Sequence, residues 1–468
     1  MPGTGTDERT RARSAPPLTI SDARWIFLAA FAVRVIYLAL VYRGPGSLRV
    51  DDSPIYEGLA AQIVEGCRTL SCAMTVSTSR MPLYPMFLAS LRSLIGSAPI
   101  WPVLVQMLID CGSCVLVGWL AGLFDRRLAL PAGLIACVNL NLITSGGLIL
   151  TESLFMPPFI GSLIAVVLYI EAPSARRALA AGLLVGLALL VRSVLMFFLP
   201  ILLVALALAA WRRRVPVARA VRDLVLAAAA TIALVSPILA HNLNTYGRPA
   251  LVDQGGPHAL LWVAPTAFEF ARGVPFEEGQ RQMKQRLADA LAAQHPAALP
   301  SNPFAAADFE ERVARAALLE LGLGGLAHAW LDGSAINLAT PALVAVPPIS
   351  RLERPHFYAT PGAGIIDKLA NIARRGAGSL FFWLMVPATA ATLLCRAIEL
   401  WALVRIGRAG GLALGPASYL VAVALYFVLI TGPVTGVKYR LELEPFLTLL
   451  LASGGAELYR RLRGARTS

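Results

Sequence analysis

The feature that most restricts how this chain can fold is a succession of apolar runs, each of the length a helix needs to cross a bilayer. They fall at residues 25–42, 101–124, 129–148, 153–170, 224–240, 379–403, 412–431 and 445–459. Lipid offers no partner to a backbone N–H or C=O, so such runs fold as helices, which satisfy those groups internally. Residues 178–211 are too long for one crossing and carry Arg192 near the middle. Two short helices in a hairpin, with the arginine at the turn, keep its charge out of hydrocarbon. The expected fold is an all-α polytopic membrane protein, a bundle of about 10 spans with about 13 as the upper bound.

A mean hydropathy of +0.66, with 57% hydrophobic against 15% charged residues, excludes an ordinary soluble enzyme. The net charge of +13 does not point to nucleic acid. Its arginines gather in short clusters between apolar runs, such as Arg126-Arg127, Arg176-Arg177, Arg212-Arg213-Arg214 and Arg460-Arg461, where they read as signals of cytoplasmic loops. Residues 1–22 read as a disordered cytoplasmic segment before a retained first span. Residues 82–95 form an apolar stretch in the length range of a re-entrant or interfacial helix. If that stretch does not cross, every arginine cluster lies on the cytoplasmic side. Asp51-Asp52, Glu152, Arg192, residues 241–378, Lys438 and Arg440 then share the outer face. The chain accordingly divides into residues 1–22, a membrane module over 23–240 with a first outer loop at 43–100, an extracytoplasmic insertion over 241–378, and C-terminal spans and tail over 379–468.

Within the insertion, Pro275, Glu277 and Glu278 predict the start of a helix running through Gln294, and Asp308 with Glu311 reads as a capping box opening a second one through Trp330. Its aromatic residues Trp262, Phe268, Phe270, Trp330, Phe357 and Tyr358 are of the kind that stack on sugar faces, but most are expected to hold the cap together. Cys67 and Cys72 lie in the first outer loop, as a disulfide or as two thiols. Cys111 and Cys114 copy a CxxC spacing inside an apolar span, where small residues serve packing. No cysteine and histidine pattern has zinc spacing, and no period repeats. Arg34 and Asp110 sit at similar depth in their spans, which allows them to pair as a packing and register device.

Chemistry concentrates at the outer boundary. Asp51 and Asp52 follow the first span and precede Ser53-Pro54; a helix cap would use only one of the two carboxylates. Adjacent carboxylates repel, so one can be held by a neighbour while the other stays free as a base. Arg80 stands directly before the short apolar stretch, either as a snorkelling residue or as a ligand for an anion. Glu152 lies between two spans. Lys438 and Arg440 approach the last span from outside, against the positive-inside trend, and an anionic lipid phosphate is the natural reason.

Taken in order, these segments resemble the GT-C glycosyltransferases, in the branch of protein O-mannosyltransferases and aminoarabinose transferases (glycosyltransferase family 39-like). The resemblance rests on DDSPIYEGLA after the first span, RMPLYPMFLASLRSLIG, LILTESLF, GLLVGLALLVRSVLMFFLP, SPILAHNLNTYGRPALVDQGGPHALLW and KYRLELEPF before the last span. One departure is His241 before Asn242, where many bacterial relatives would carry arginine.

The resemblance implies transfer of a sugar from a polyprenyl-phosphate-linked donor to a lipid, protein or glycan acceptor, on the outer face of a bacterial plasma membrane and with inversion. Asp51 or Asp52 would be the general base, with Asp51 preferred because the family's first acidic residue usually holds that role. Arg80, Lys438 and Arg440, with Arg192 as a weaker candidate, would neutralise the donor phosphate. Glu152 and Tyr56 would orient the acceptor or a cation, and a divalent metal is left open. Acceptor choice is expected to reside in residues 241–378. A transporter or flippase of lipid-linked saccharides is the alternative from another class, though no inverted repeat supports it; a glycan polymerase or ligase would use related donors.

Overall fold

The computed structural model describes residues 16–50, 52–294, 298–353, 360, 365–376, 378–411 and 415–464, and no strand occurs among them. The membrane part begins with α1 (Ile20–Val41), α2 (Ser53–Gly66), α3 (Leu83–Ile95), α4 (Ile100–Gly122), α5 (Ala129–Val138), α6 (Leu140–Gly146) and α7 (Glu152–Glu171). It continues with α8 (Ala175–Val191), α9 (Leu199–Arg212) and α10 (Val217–Tyr246). After α10 come α11 (Ala264–Arg272), α12 (Phe276–Ala292), α13 (Pro303–Leu319), α14 (Gly322–Ala339) and a further helix, Ile365–Gly376; α15 (Leu380–Arg408), α16 (Pro416–Thr431) and α17 (Glu444–Gly464) follow.

The helices α1, α4, α7, α10 and α15 are each long and apolar enough to cross a membrane. The core lies where α4, α7 and α8 meet, around Val117, Leu120, Phe155, Phe159, Val166 and Val185. Small residues let the helices come close, as in other lipid-embedded bundles. A Cβ at Gly182 in α8 would run into the Ala227 carbonyl of α10, and Thr231 donates to the Gly182 carbonyl at 2.9 Å in the same contact. Arg34 and Asp110 pair at 2.6 Å, with side chains only 1% and 2% exposed, and Arg34 also donates to the Ala30 and Cys137 carbonyls and the Cys114 sulfur. Every polar face of that guanidinium is thereby occupied by α1, α4 and α5. Cys111 and Cys114 are buried free thiols.

Several elements differ from what the sequence leads one to expect. Residues 129–148 read as one apolar run long enough to cross, but α5 and α6 are bent by 56°. Asn139 causes the break: its side chain accepts from the N–H groups of Asn141 (3.0 Å) and Leu142 (3.4 Å), ending one helix and capping the next. The helix expected to open at Asp308 instead opens at Pro303, because Asn302 caps it, accepting from Phe304 and Ala305 N–H. Asp308 lies inside α13 and pairs with Arg248. That helix stops at Leu319, and Gly322, with φ of 65°, redirects the chain into α14 instead of letting it run on to Trp330. Of the two states open to Cys67 and Cys72, the structure has the disulfide. Around Arg192 the chain is extended and then makes a 3-10 turn, Ser193–Leu195, between α8 and α9.

Candidate active site

The acidic loop is fastened to the segment before α7 by its backbone. The Leu48 carbonyl accepts from Ile149 N–H at 2.9 Å, and the buried Ser53 hydroxyl donates to the Ile149 carbonyl at 2.9 Å while accepting from Val50 N–H. These bonds bring the start of α2 alongside Glu152. Asp52 occupies the cap position of α2, yet its side chain caps nothing. Its two oxygens face two cations instead, Arg80 at 3.3 Å and Lys438 at 3.7 Å. Asp51 lies outside the described residues.

Arg80 is aimed inward, with its side chain only 16% exposed, so the snorkelling role does not apply to it. The Ser77 hydroxyl accepts from the N–H groups of Ser79 and Arg80, which turns the chain just ahead of α3. The Arg80 guanidinium lies 5.9 Å from the centre of the Tyr56 ring, and Tyr56 packs edge-on against Tyr84 at 5.1 Å. Burial pushes the Tyr56 phenol up to about 12, so it remains a neutral hydrogen-bond donor through the physiological range.

A second ionic group lies at the break between α8 and α9. Arg192 reaches Glu152 at 2.9 Å and Glu442 at 3.5 Å, and its guanidinium sits 5.5 Å from the Phe155 ring centre. Burial raises the Glu442 carboxyl above its ordinary value, and the nearby Arg192 charge offsets part of that rise. One cavity of about 520 Å³ joins both groups. Asp52, Tyr56, Arg80, Glu152, Arg192 and Lys438 all line it, as do Gln254, His258, Trp262, Tyr439 and Glu442. The described ionic residues of the cavity are therefore Arg80, Arg192 and Lys438 against Asp52, Glu152 and Glu442. An anion entering the cavity meets cations already paired with these carboxylates and competes with them.

Arg440 does not belong to the cavity, which corrects the expectation that it faces a donor phosphate. Its side chain is 4% exposed, pairs with Glu444 at 2.9 Å and donates to the carbonyls of Asn337 (2.8 Å) and Thr340 (2.7 Å). Asn139 and Asn141 donate to the same Glu444 carboxylate. The group ties α14, the bend between α5 and α6, and the start of α17 into one buried network. His241 is also absent from the lining; its ring lies against Tyr246 at 6.3 Å. Sequence reasoning missed Gln254, His258 and Glu442. Glu442 had a readable signal, being one helical turn from Lys438 and Tyr439 in the same short segment; the other two had none. Among the described residues, no three His, Cys, Asp or Glu side chains gather as a metal site would require.

No family model matches the chain, and no curated protein matches it by sequence. Solved structures do match. The Archaeoglobus fulgidus oligosaccharyltransferase tethered to an acceptor peptide containing an NVT sequon aligns with a TM-score of 0.50 at 13% identity, over 94% of this chain and 50% of that one. AglB from the same organism, in complex with an inhibitory peptide and a dolichol-phosphate, aligns with a TM-score of 0.48 at 13% identity, over 95% and 51%. ArnT from Cupriavidus metallidurans, bound to undecaprenyl phosphate, aligns with a TM-score of 0.39 at 15% identity, over 93% and 78%. The chain thus spans about half the length of the oligosaccharyltransferases it matches. At these identities the likeness is one of fold. The chain is an integral membrane protein with the fold of the GT-C membrane glycosyltransferases.

Proposed function

We propose that the protein is a glycosyltransferase that moves a sugar from a polyprenyl-phosphate-linked donor to an acceptor hydroxyl, on the extracytoplasmic face of a bacterial plasma membrane. The observation that carries this reading is the meeting of Asp52 with Arg80 and Lys438 in one cavity, on a GT-C fold. A sugar phosphodiester needs two things from a protein: a base for the incoming hydroxyl and cations for the leaving phosphate. Both are present, with Arg80 3.3 Å and Lys438 3.7 Å from the Asp52 carboxylate.

In this reading a carboxylate of the acidic pair, Asp51 or Asp52, takes the acceptor proton. The acceptor oxygen then forms its bond to the anomeric carbon from the side opposite the phosphate. The bond from that carbon to the phosphate oxygen breaks, and the polyprenyl phosphate leaves with the electron pair. Lys438 and Arg80 meet the growing negative charge, so no separate acid is needed for the leaving group. Glu152 and Glu442 fix Arg192 at the far side of the cavity, and Tyr56 supplies a neutral donor. In this reading residues 241–378 are the outer insertion, and its residues 252–262, of which Val252, Gln254, Gly255, His258 and Trp262 line the cavity, would govern which acceptor enters.

The test is transfer by purified, reconstituted protein with a panel of polyprenyl-phosphate monosaccharides, comparing wild type with Asp51→Asn and Asp52→Asn. Turnover of a donor, including slow hydrolysis, that disappears in one well-folded variant supports the reading and identifies the base. Absence of turnover together with movement of saccharide lipids across proteoliposomes would replace it with a transporter.

A further inference from the structure

The cavity has a charged floor and a second wall of different chemistry, built by the segment Gln254–Trp262. We propose that His258 and Trp262 form the subsite for the donor sugar ring. This inference rests on the glycosyltransferase reading and extends it to residues that choose the sugar.

Four aromatic residues of the insertion separate clearly by position. Phe268 and Phe270 are buried in the small core of the cap, 2% and 7% exposed. Trp330 donates its indole N–H to the Leu429 carbonyl at 3.2 Å. Trp262 alone among these four lines the cavity, and it remains 48% exposed. Its ring is held from behind by Phe276, whose centre lies 5.6 Å away. A π-helical turn, Ala259–Val263, begins directly after His258 and contains Trp262, and both residues line the cavity. Such turns are rare and recur at functional sites.

The wall is braced by the protein's own contacts. Gln280 donates to the Leu261 carbonyl at 2.8 Å, the Thr266 hydroxyl donates to the Trp262 carbonyl at 2.8 Å, and Leu260 is buried beneath them. A Cβ at Gly256 would run into the Ala307 carbonyl, so the segment is pressed against α13. An indole face exposed beside an imidazole suits a pyranose, which presents C–H groups to the ring and hydroxyls to the histidine. A phosphate on the floor between Arg80 and Lys438 would place the attached ring against this wall, and the cavity volume of about 520 Å³ lies in the ordinary range of small-molecule sites.

The experiment compares binding of bare polyprenyl phosphate with binding of polyprenyl-phosphate hexoses and pentoses, by competition against radiolabelled lipid in detergent. Wild type is expected to bind at least one sugar-bearing lipid more tightly than the bare phosphate. Trp262→Ala and His258→Ala should each weaken that sugar-bearing lipid by about 2- to 10-fold, the scale of one aromatic or hydrogen-bond contact, and leave the bare phosphate unchanged. Trp262→Phe should restore most of the loss. If Trp262→Ala fails to fold, Trp262→Phe and His258→Ala still decide the matter by the same difference. Equal weakening of both lipids, no weakening of either, or a wild type that gains nothing from any sugar overturns the proposal. A wild type that binds neither lipid instead overturns the glycosyltransferase reading beneath it.

Discussion

Replacing Asp52 by asparagine should make the protein bind polyprenyl phosphate more tightly while it loses transfer. Asp52 holds Arg80 and Lys438 through its two oxygens, and these are the cations assigned to the donor phosphate. Phosphate and carboxylate therefore compete. The side chains involved are 16% (Arg80), 48% (Lys438) and 38% (Asp52) exposed, so each pair belongs with screened surface contacts and not with buried ones. Pairs of that kind are worth about 0.2–1 kcal/mol each, together about 0.4–2 kcal/mol, which corresponds to a Kd lower by about 2- to 30-fold. If Asp52 is the base, transfer falls by about 10²- to 10⁴-fold in the same variant. The assay is equilibrium binding of polyprenyl phosphate to detergent-solubilised protein, read beside donor turnover. Glu57→Gln is the control: it removes the same charge from a residue that pairs with Arg49 at 2.7 Å and does not line the cavity. Unchanged or weaker binding in Asp52→Asn, or equal tightening in Glu57→Gln, would refute the competition.

Three further outcomes are expected. Arg34→Met or Asp110→Asn strands one member of a buried ion pair and should cost about 3–5 kcal/mol of stability, while Arg34→Met with Asp110→Leu should recover most of it; thermal melting in detergent measures the difference, and donor affinity should not move in the folded variants. Arg440→Ala should lower the melting temperature, because the Asn337 and Thr340 carbonyls and Glu444 lose their shared donor, without changing affinity for polyprenyl phosphate. Glu442 has its carboxyl raised by burial, so the folded state holds its proton more firmly than the unfolded chain does. Its contribution to stability is full below the ordinary carboxylate value of about 4.3 and is lost as pH rises through the raised value, so Glu442→Gln should flatten the pH dependence of melting between those two values.

Much of the membrane part was legible because lipid allows a chain few choices. Runs of apolar residues must become helices, and a charge such as Arg192 in a run too long for one crossing must lie at a break. The bend at Asn139 was not legible, since its cause is a side chain that caps the following helix within an unbroken apolar run. The second helix of the insertion was misplaced for a related reason: Asn302 and Asp308 both offer plausible caps, and the local sequence does not say which backbone will use one.

The cavity divides in the same way. By itself the sequence determined that acidic and basic residues sit at the ends of apolar runs, and it nominated Asp52, Arg80, Glu152, Arg192 and Lys438, which the fold collects around one space. Tertiary structure alone decided which of their neighbours join them. Lys438 and Arg440 are two residues apart in a 3-10 turn, Val437–Leu443, where residues three apart share a face. Tyr439 and Glu442 accordingly look into the cavity, while Arg440 turns away into the protein and is consumed by Glu444 and backbone carbonyls. Composition and spacing carry the hydrophobic solvent's demands, which act on each segment separately. The partner of a charge comes from another segment, 28 residues away for Asp52 and Arg80 and from the far end of the chain for Asp52 and Lys438, and that pairing exists only once the helices have packed.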